Sequence, residues 1–336
     1  RKTSSAVISA NITALEKLGM VRQISNPKIF TLNNQVANVV QGTNIPYESS
    51  GEDGGVEFAK ADLSLTVTPS IVGDGNVLLD IKVTIHALWH AGSYDPQDFL
   101  GRLIGDANWV RHTECAFFEA IDHNYFATDF HINMFCENLL GLDIEKEMDG
   151  QMAIWRYKKK IVRTGWPMEY MPKLFEEYSS LPKRNLILFP HRLAPEKQVD
   201  IFNDLAEAMP QYEFVVCQNE QLTKDQYHTL LGQAKLVFSA NLQETLGISM
   251  YEGALCNTTP LVPDRLSYSE MYSSVFKYPT EYTESWDSYL EYKQELMDAI
   301  EYHIENYESV LPKVKAQARM LDKDFFSASA ILENIE

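Results

Sequence analysis

Apolar and polar positions follow two different rhythms along this 336-residue chain. In the first part the spacing is that of strands. Residues 29–32, 36–41, 62–68 and 77–83 are β-patterned, and Leu63-Ser64-Leu65-Thr66-Val67-Thr68 alternates strictly, as a strand with one buried face does. Gly73-Asp74-Gly75-Asn76 supplies the positive-φ residues of a hairpin turn. Residues 4–18 precede these strands with helical spacing, Ile8, Ile12, Leu15 and Leu18 falling on one face and Gly19 ending it.

Further on, short apolar runs alternate with helical patterns. The runs are 185–189, 212–217, 236–240 and a proline-rich strand before Pro263, each too short for an ordinary helix. The helical patterns are 195–209, 223–234 and 245–257. Such alternation predicts a parallel sheet covered on both faces, with ligands at the carboxyl ends of its strands. Ahead of it, Ile85-His86-Ala87-Leu88-Trp89 reads as a strand running into a polar loop, followed by a helix over 96–104. A second strand over 125–127 leads into a helix over 132–140, and Lys158-Lys159-Lys160 is a solvated turn. Residues 161–167 make a strand and a Gly/Pro hinge. In the tail, helical spacing from 286 to 310 is interrupted at Pro312 and resumes over 313–320 and 325–335.

Hydrophobic content of 45% and charged content of 23% are those of a globular protein with room for two or three domains. A net charge of −18 argues against unspecific binding to nucleic acid or to an anionic membrane. No apolar run approaches the ~20 residues of a membrane-spanning helix. The start at Arg1-Lys2-Thr3, without Met, reads as a fragment or processed product. Cys115, Cys136, Cys217 and Cys256 fit no zinc spacing and read as reduced core thiols, which favours a reducing, cytoplasmic compartment. Composition shifts abruptly near residue 85. Residues 1–85 hold no Cys, His or Trp and carry a net −1, leaving −17 for the rest. Two unlike modules share the chain.

Three features of 184–272 stand in order. They are Arg192 with Lys197 just past the first strand, Glu244 with Glu252, and the proline-rich strand with its Ser267-Tyr268-Ser269-Glu270 turn. Together they resemble the donor-binding domain of retaining, glycogen-synthase-like GT-B glycosyltransferases. The resemblance implies an α/β fold in which 166–336 is a Rossmann-like nucleotide-sugar donor domain with C-terminal helices. It makes 86–165 a partial acceptor domain, also Rossmann-like, lacking its first strands and glycine-rich loop. Arg192 and Lys197 would then stabilise the diphosphate leaving group in a metal-free site, with no cofactor beyond the nucleotide-sugar co-substrate. Glu244 would reach the transferred sugar and Glu252 the ribose hydroxyls. The backbone of Thr245, Leu246 and Gly247 would face the donor, and Asn219 would lie beside the base. His90 is the acceptor-side candidate, equally readable as a hydrogen-bonded histidine at a strand end. Thr128, Asp129 and His131 could face substrate, though a helix N-cap at Thr128 or Asp129 is the simpler reading. The His86/His90 spacing lacks the glutamate of a zinc helix. The implied activity is hexosyltransferase-like, with retention by front-face transfer, and glycosidase-type acid/base work by the two glutamates ranks lower.

Residues 1–85 resemble the membrane-ring domain of bacterial secretins. The match runs through Ser25-Asn26-Pro27, Thr31-Leu32-Asn33-Asn34-Gln35-Val36-Ala37, Gly42-Thr43-Asn44-Ile45-Pro46-Tyr47, Leu65-Thr66-Val67-Thr68-Pro69 and Leu78-Leu79-Asp80-Ile81. In secretins this portion adds hairpins to a many-chain barrel in the bacterial outer membrane. A segment of this length cannot close a barrel, so it reads as a passenger β module, and ring oligomers are expected only of an intact secretin. The alternatives to a transferase are a non-catalytic nucleotide-sugar-binding fragment, a structural secretin fragment, and a sugar epimerase of the same architecture.

Overall fold

The protein is described from a computed structural model, covering residues 31–48, 56–72, 76–82, 84–98, 108–142, 157, 160–219 and 221–335. The expected helix over 4–18, residues Gly73–Gly75 of the hairpin turn, 99–104 of the helix placed after the first loop, and Lys158-Lys159 lie outside these residues. The chain divides into two compact units, Arg1–Thr84 and Ile85–Glu336.

In the first unit β1 (Ala37–Glu48), β2 (Val56–Val72) and β3 (Asn76–Lys82) form an antiparallel sheet in that order. The registers run Ala37↔Val67 to Glu48↔Val56 and Thr66↔Lys82 to Val72↔Asn76. Val67 and Pro69 are buried while Thr66, Thr68 and Ser70 are half-buried, the period of two that the sequence carries there.

The second unit has two lobes. In the first, β4 (His86–Leu88), β5 (His123–Phe126) and β6 (Ile161–Arg163) lie parallel in the order β4-β5-β6. Helices α1 (Asn108–Ala120) and α2 (Asp129–Asn138) accompany them over a core of Tyr94, Phe118, Phe126 and Phe135. Residues 93–98 form turns, so no helix begins at Pro96.

The second lobe begins with α3 (Met171–Ser179) and β7 (Arg184–Phe189). Next come α4 (Val199–Ala208), β8 (Glu213–Val216), α5 (Lys224–Gln233), β9 (Ala234–Phe238) and α6 (Ile248–Leu255). After these come β10 (Thr259–Pro263), α7 (Tyr268–Met271), β11 (Lys277–Tyr278), α8 (Trp286–Glu305), α9 (Tyr307–Phe325) and α10 (Ser329–Ile335). The five strands are all parallel in the order β11-β10-β9-β7-β8. Along β7, Leu186 and Leu188 enter one core with α6 and α9, while Ile187 and Phe189 enter the other with α4 and α8. A strand covered on both faces needs an unbroken apolar run, and this one has it.

Three expected helices are redrawn. The pattern over 195–209 is a 3-10 turn, Pro195–Lys197, and then α4, because Gln198 takes a left-handed φ of 53° between them. Its side-chain Nε2 donates to the carbonyls of Ala240 and Thr283, which holds that conformation. Pro312 lies inside α9, where it forfeits one donor and crowds the carbonyl a turn before it; the tail breaks at Asn306 instead. Phe325 ends α9 rather than opening the last helix. There the tail crosses back to the segment between β6 and α3, with Trp166 N donating to Phe325 O at 2.8 Å and Met168 N to Phe326 O at 3.3 Å. A Cβ on Gly165 would meet Ser327 O at 2.3 Å, so this crossing needs glycine.

Candidate functional site between the two lobes

The site grows from the carboxyl end of β7. Past Phe189 the chain turns through Pro190 and buried His191, and the 3-10 turn brings Glu196 and Lys197 inward. Arg192 is half exposed and donates from Nη2 to Glu196 Oε1 at 2.6 Å, the Glu196 side chain being fully covered. Lys197 is 5% exposed. Its ammonium donates to the Gln243 carbonyl at 2.6 Å and to Glu244 Oε2 at 3.3 Å. Both expected cations therefore already hold a carboxylate of the chain.

Glu244 lies between β9 and α6. Its Oε2 also accepts from Asn241 Nδ2 at 3.2 Å, and its Oε1 accepts from the backbone N–H of Thr245 and Leu246 at 3.2 and 3.4 Å. Burial alone would raise its pKa; the Lys197 ammonium and backbone N–H groups outweigh burial and hold the carboxyl below the ordinary glutamate range. Thr245 and Leu246 are buried, with their amides spent on Glu244. Gly247 sits at φ 71° ahead of α6, and a Cβ there would meet Tyr268 Cε1 at 2.6 Å. Its close approach is thus to the Tyr268 ring.

Glu252 is one turn into α6 and accepts from Tyr227 OH of α5 at 2.8 Å. Burial raises its pKa. Asn219 is exposed at the end of the 3-10 turn that follows β8, and the neighbouring Gln218 Oε1 accepts from Leu193 N. His191, beside Asn241, is pushed down to about 3 by burial and then by Lys197, so its ring is neutral.

From the first lobe, His90 is exposed past β4 with its ring 4.6 Å from that of Trp166. Thr128 is the N-cap of α2, accepting from His131 N, and its hydroxyl also donates to Thr245 O of the other lobe at 3.1 Å. Asp129 Oδ1 lies 3.7 Å from Arg163 Nε. His131 does not face a cleft: it is 1% exposed, 2.6 Å from Tyr94 OH and packed against Phe126. Packing against the Tyr94 and Phe126 rings made it core.

Two further contacts cross between the lobes, and sequence reasoning assigned neither. Gln243 Nε2 donates to Asp95 Oδ2 at 3.1 Å. Glu270 accepts from the N–H of Asp129 and Phe130 at 3.1 and 2.8 Å, so a carboxylate of one lobe caps a helix of the other. Asp95 lies on the loop that carries His90, and Glu270 closes the Ser-Tyr-Ser-Glu turn. Their neighbourhood was legible, their partners were not.

All four cysteines are free, and three are buried. Among the described residues no three His, Cys, Asp or Glu side chains converge as a metal site, and no helix is long and apolar enough to cross a membrane.

Residues 14–96 match the secretin family, bacterial type II and III secretion system proteins. The N-terminal quarter is a secretin-family segment. The match runs 12 residues past the Thr84 boundary of the first unit, through β4 and into the loop that follows. The segment is 32% identical over 84 residues to the fimbrial assembly protein PilQ of Pseudomonas aeruginosa, covering 24% of this chain and 12% of that protein. It is 37% identical over 86 residues to competence protein E of Haemophilus influenzae, covering 25% and 19%. The chain thus spans less than a fifth of each of these two relatives. Among the solved structures similar to the chain are two that hold UDP and a sugar. HepE of Anabaena with UDP and glucose is 14% identical, with 75% of this chain and 70% of that one covered and a TM-score of 0.46. The pneumococcal O-GlcNAc transferase GtfA with UDP and GlcNAc is 15% identical, covering 75% and 51%, at a TM-score of 0.45.

Proposed function

We propose that residues 85–336 form a GT-B glycosyltransferase unit that moves a sugar from a nucleotide-sugar donor to an acceptor hydroxyl with retention of configuration. The observation that carries this reading is the meeting of Lys197 with Glu244 past the carboxyl ends of β7 and β9, opposite Asp95 and Thr128 of the first lobe. Residues 166–336 take the donor role and 86–165 the acceptor role. The anomeric C–O bond to the diphosphate breaks, and the acceptor oxygen bonds to the same face of that carbon. The acceptor proton passes to the departing phosphate oxygen, and the nucleoside diphosphate leaves. Arg192 and Lys197 bind the developing anion by exchanging their carboxylate partners for phosphate oxygens. Glu252 serves the ribose hydroxyls, and Asn219 flanks the base. The free cysteines support a reducing, cytoplasmic setting for this unit. The N-terminal segment reads as a secretin-like passenger module.

A non-catalytic nucleotide-sugar-binding unit is the second reading, favoured by the engagement of Lys197 within the protein. Thermal unfolding with UDP, GDP, ADP and their sugar conjugates separates the two. One nucleotide at 100-fold its Kd should add about 2.7 kcal/mol, and Lys197→Ala should abolish the gain. A shift without nucleotide release from the sugar conjugate selects the second reading. No shift with any nucleotide sinks both.

A further inference from the structure

Gln243 stands one residue before Glu244 in the loop between β9 and α6, and its groups serve both lobes. Its side-chain Nε2 donates to Asp95 Oδ2 at 3.1 Å. Its carbonyl accepts from Lys197 Nζ at 2.6 Å, and its Oε1 lies 3.5 Å from the same ammonium. Asp95, Gln243 and Lys197 are 5%, 8% and 5% exposed, so solvent replaces none of these bonds cheaply. The Asp95 end is itself anchored, its Oδ1 accepting from Gln97 N at 2.9 Å. One amide thus spans from a first-lobe carboxylate to the lysine of the second lobe. Separating the lobes breaks the Asp95 bond and releases the side chain that borders the ammonium. The same loop continues into Thr245, whose carbonyl meets Thr128, so the loop is held from the first lobe at two points.

We infer that Gln243 is a positioning residue that couples closure of the two lobes to the placement of Lys197. The inference rests on the reading of Lys197 as the diphosphate cation, but its physical core, a loop held from the other lobe, is tested without any ligand. In Asp95→Ala, amide hydrogen exchange of residues 243–247 should speed up about tenfold, while the amides of β7 and β9 stay protected and report an intact fold. Asp95→Asn, with its one acceptor oxygen turned to Gln243 at the expense of the Gln97 N–H bond, should restore most of the slow exchange. Nucleotide release from the sugar conjugate that stabilises the wild type should fall about tenfold in Gln243→Leu and Asp95→Ala, with the nucleotide Kd moving less than threefold. Combining the two changes should cost no more than either alone.

Unchanged loop exchange in Asp95→Ala overturns the coupling. So does additive loss in the double variant, or a Kd that rises as far as release falls. If no nucleotide binds the wild type, the functional reading fails, and the exchange experiment still decides whether Asp95 and Gln243 couple the lobes.

Discussion

Two glutamates eight positions apart, one in the loop ahead of α6 and one inside that helix, sit in opposite surroundings. Glu244 accepts from Lys197, from Asn241 and from two backbone N–H groups. Glu252 accepts from Tyr227 OH. Burial acts on both in the same direction, against the charged form. The buried ammonium and the loop amides reverse the outcome for Glu244, whose pKa is lowered, while that of Glu252 is raised. A carboxylate pair in a sequence therefore says little about charge; the cation that folds against one member decides it.

Removing that cation is the strongest way to break the contrast. Lys197→Ala leaves Glu244 without its ion partner and should cost about 3 kcal/mol in a urea titration. A loss under about 1 kcal/mol would mean that the pair behaves as a surface one, and the contrast would collapse. Gly247→Ala should cost about 2 kcal/mol, from left-handed strain plus the clash with Tyr268, by displacing the loop that carries the Glu244 amides. Tyr227→Phe strips Glu252 of its donor and should cost about 1.5 kcal/mol. It should also raise the Glu252 pKa further, readable by carboxyl NMR titration. Thr128→Ala removes both the α2 cap and the hydroxyl that reaches Thr245, for about 1 kcal/mol.

The smallest effect is the most diagnostic, because its sign differs between the two residues. The Glu244 contribution is present above the ordinary value of 4.5 and is lost as pH falls through its lower folded value. The Glu252 contribution is present below 4.5 and is lost as pH rises through its higher folded value. Glu244→Gln should therefore flatten the acid limb of the stability curve. Glu252→Gln should remove a decline on its neutral side. Equal slopes for the two variants would refute the assignment.

Much of the fold was legible because it depends on period. The run 186–189 is apolar at every position, and β7 is covered there on both faces; Leu63–Thr68 alternates, and burial alternates over 66–70 of β2. The helical pattern over 223–234 is α5, which the structure opens with a Thr223–Gln226 capping box. Gln198 gave no such signal, since a left-handed glutamine is held by carbonyls 42 and 85 positions away. Pro312 misled for a related reason. Proline past the first turn of a helix costs one donor and crowds the carbonyl a turn before it, and the packing of Val310 and Val314 into the core outweighs both.

The amino-acid sequence by itself determined the strand–helix alternation, the change of character near residue 85, and the placing of Arg192, Lys197, Glu244 and Glu252 along that alternation. Only the tertiary structure decided their partners. It matched Lys197 to Glu244 across 47 positions, Gln243 to Asp95 across 148, and Glu270 to the head of α2 across 140 and 141. Periodicity is a local property of the chain. Hydrogen bonds between lobes depend on where two distant loops come to rest, and no local pattern encodes that.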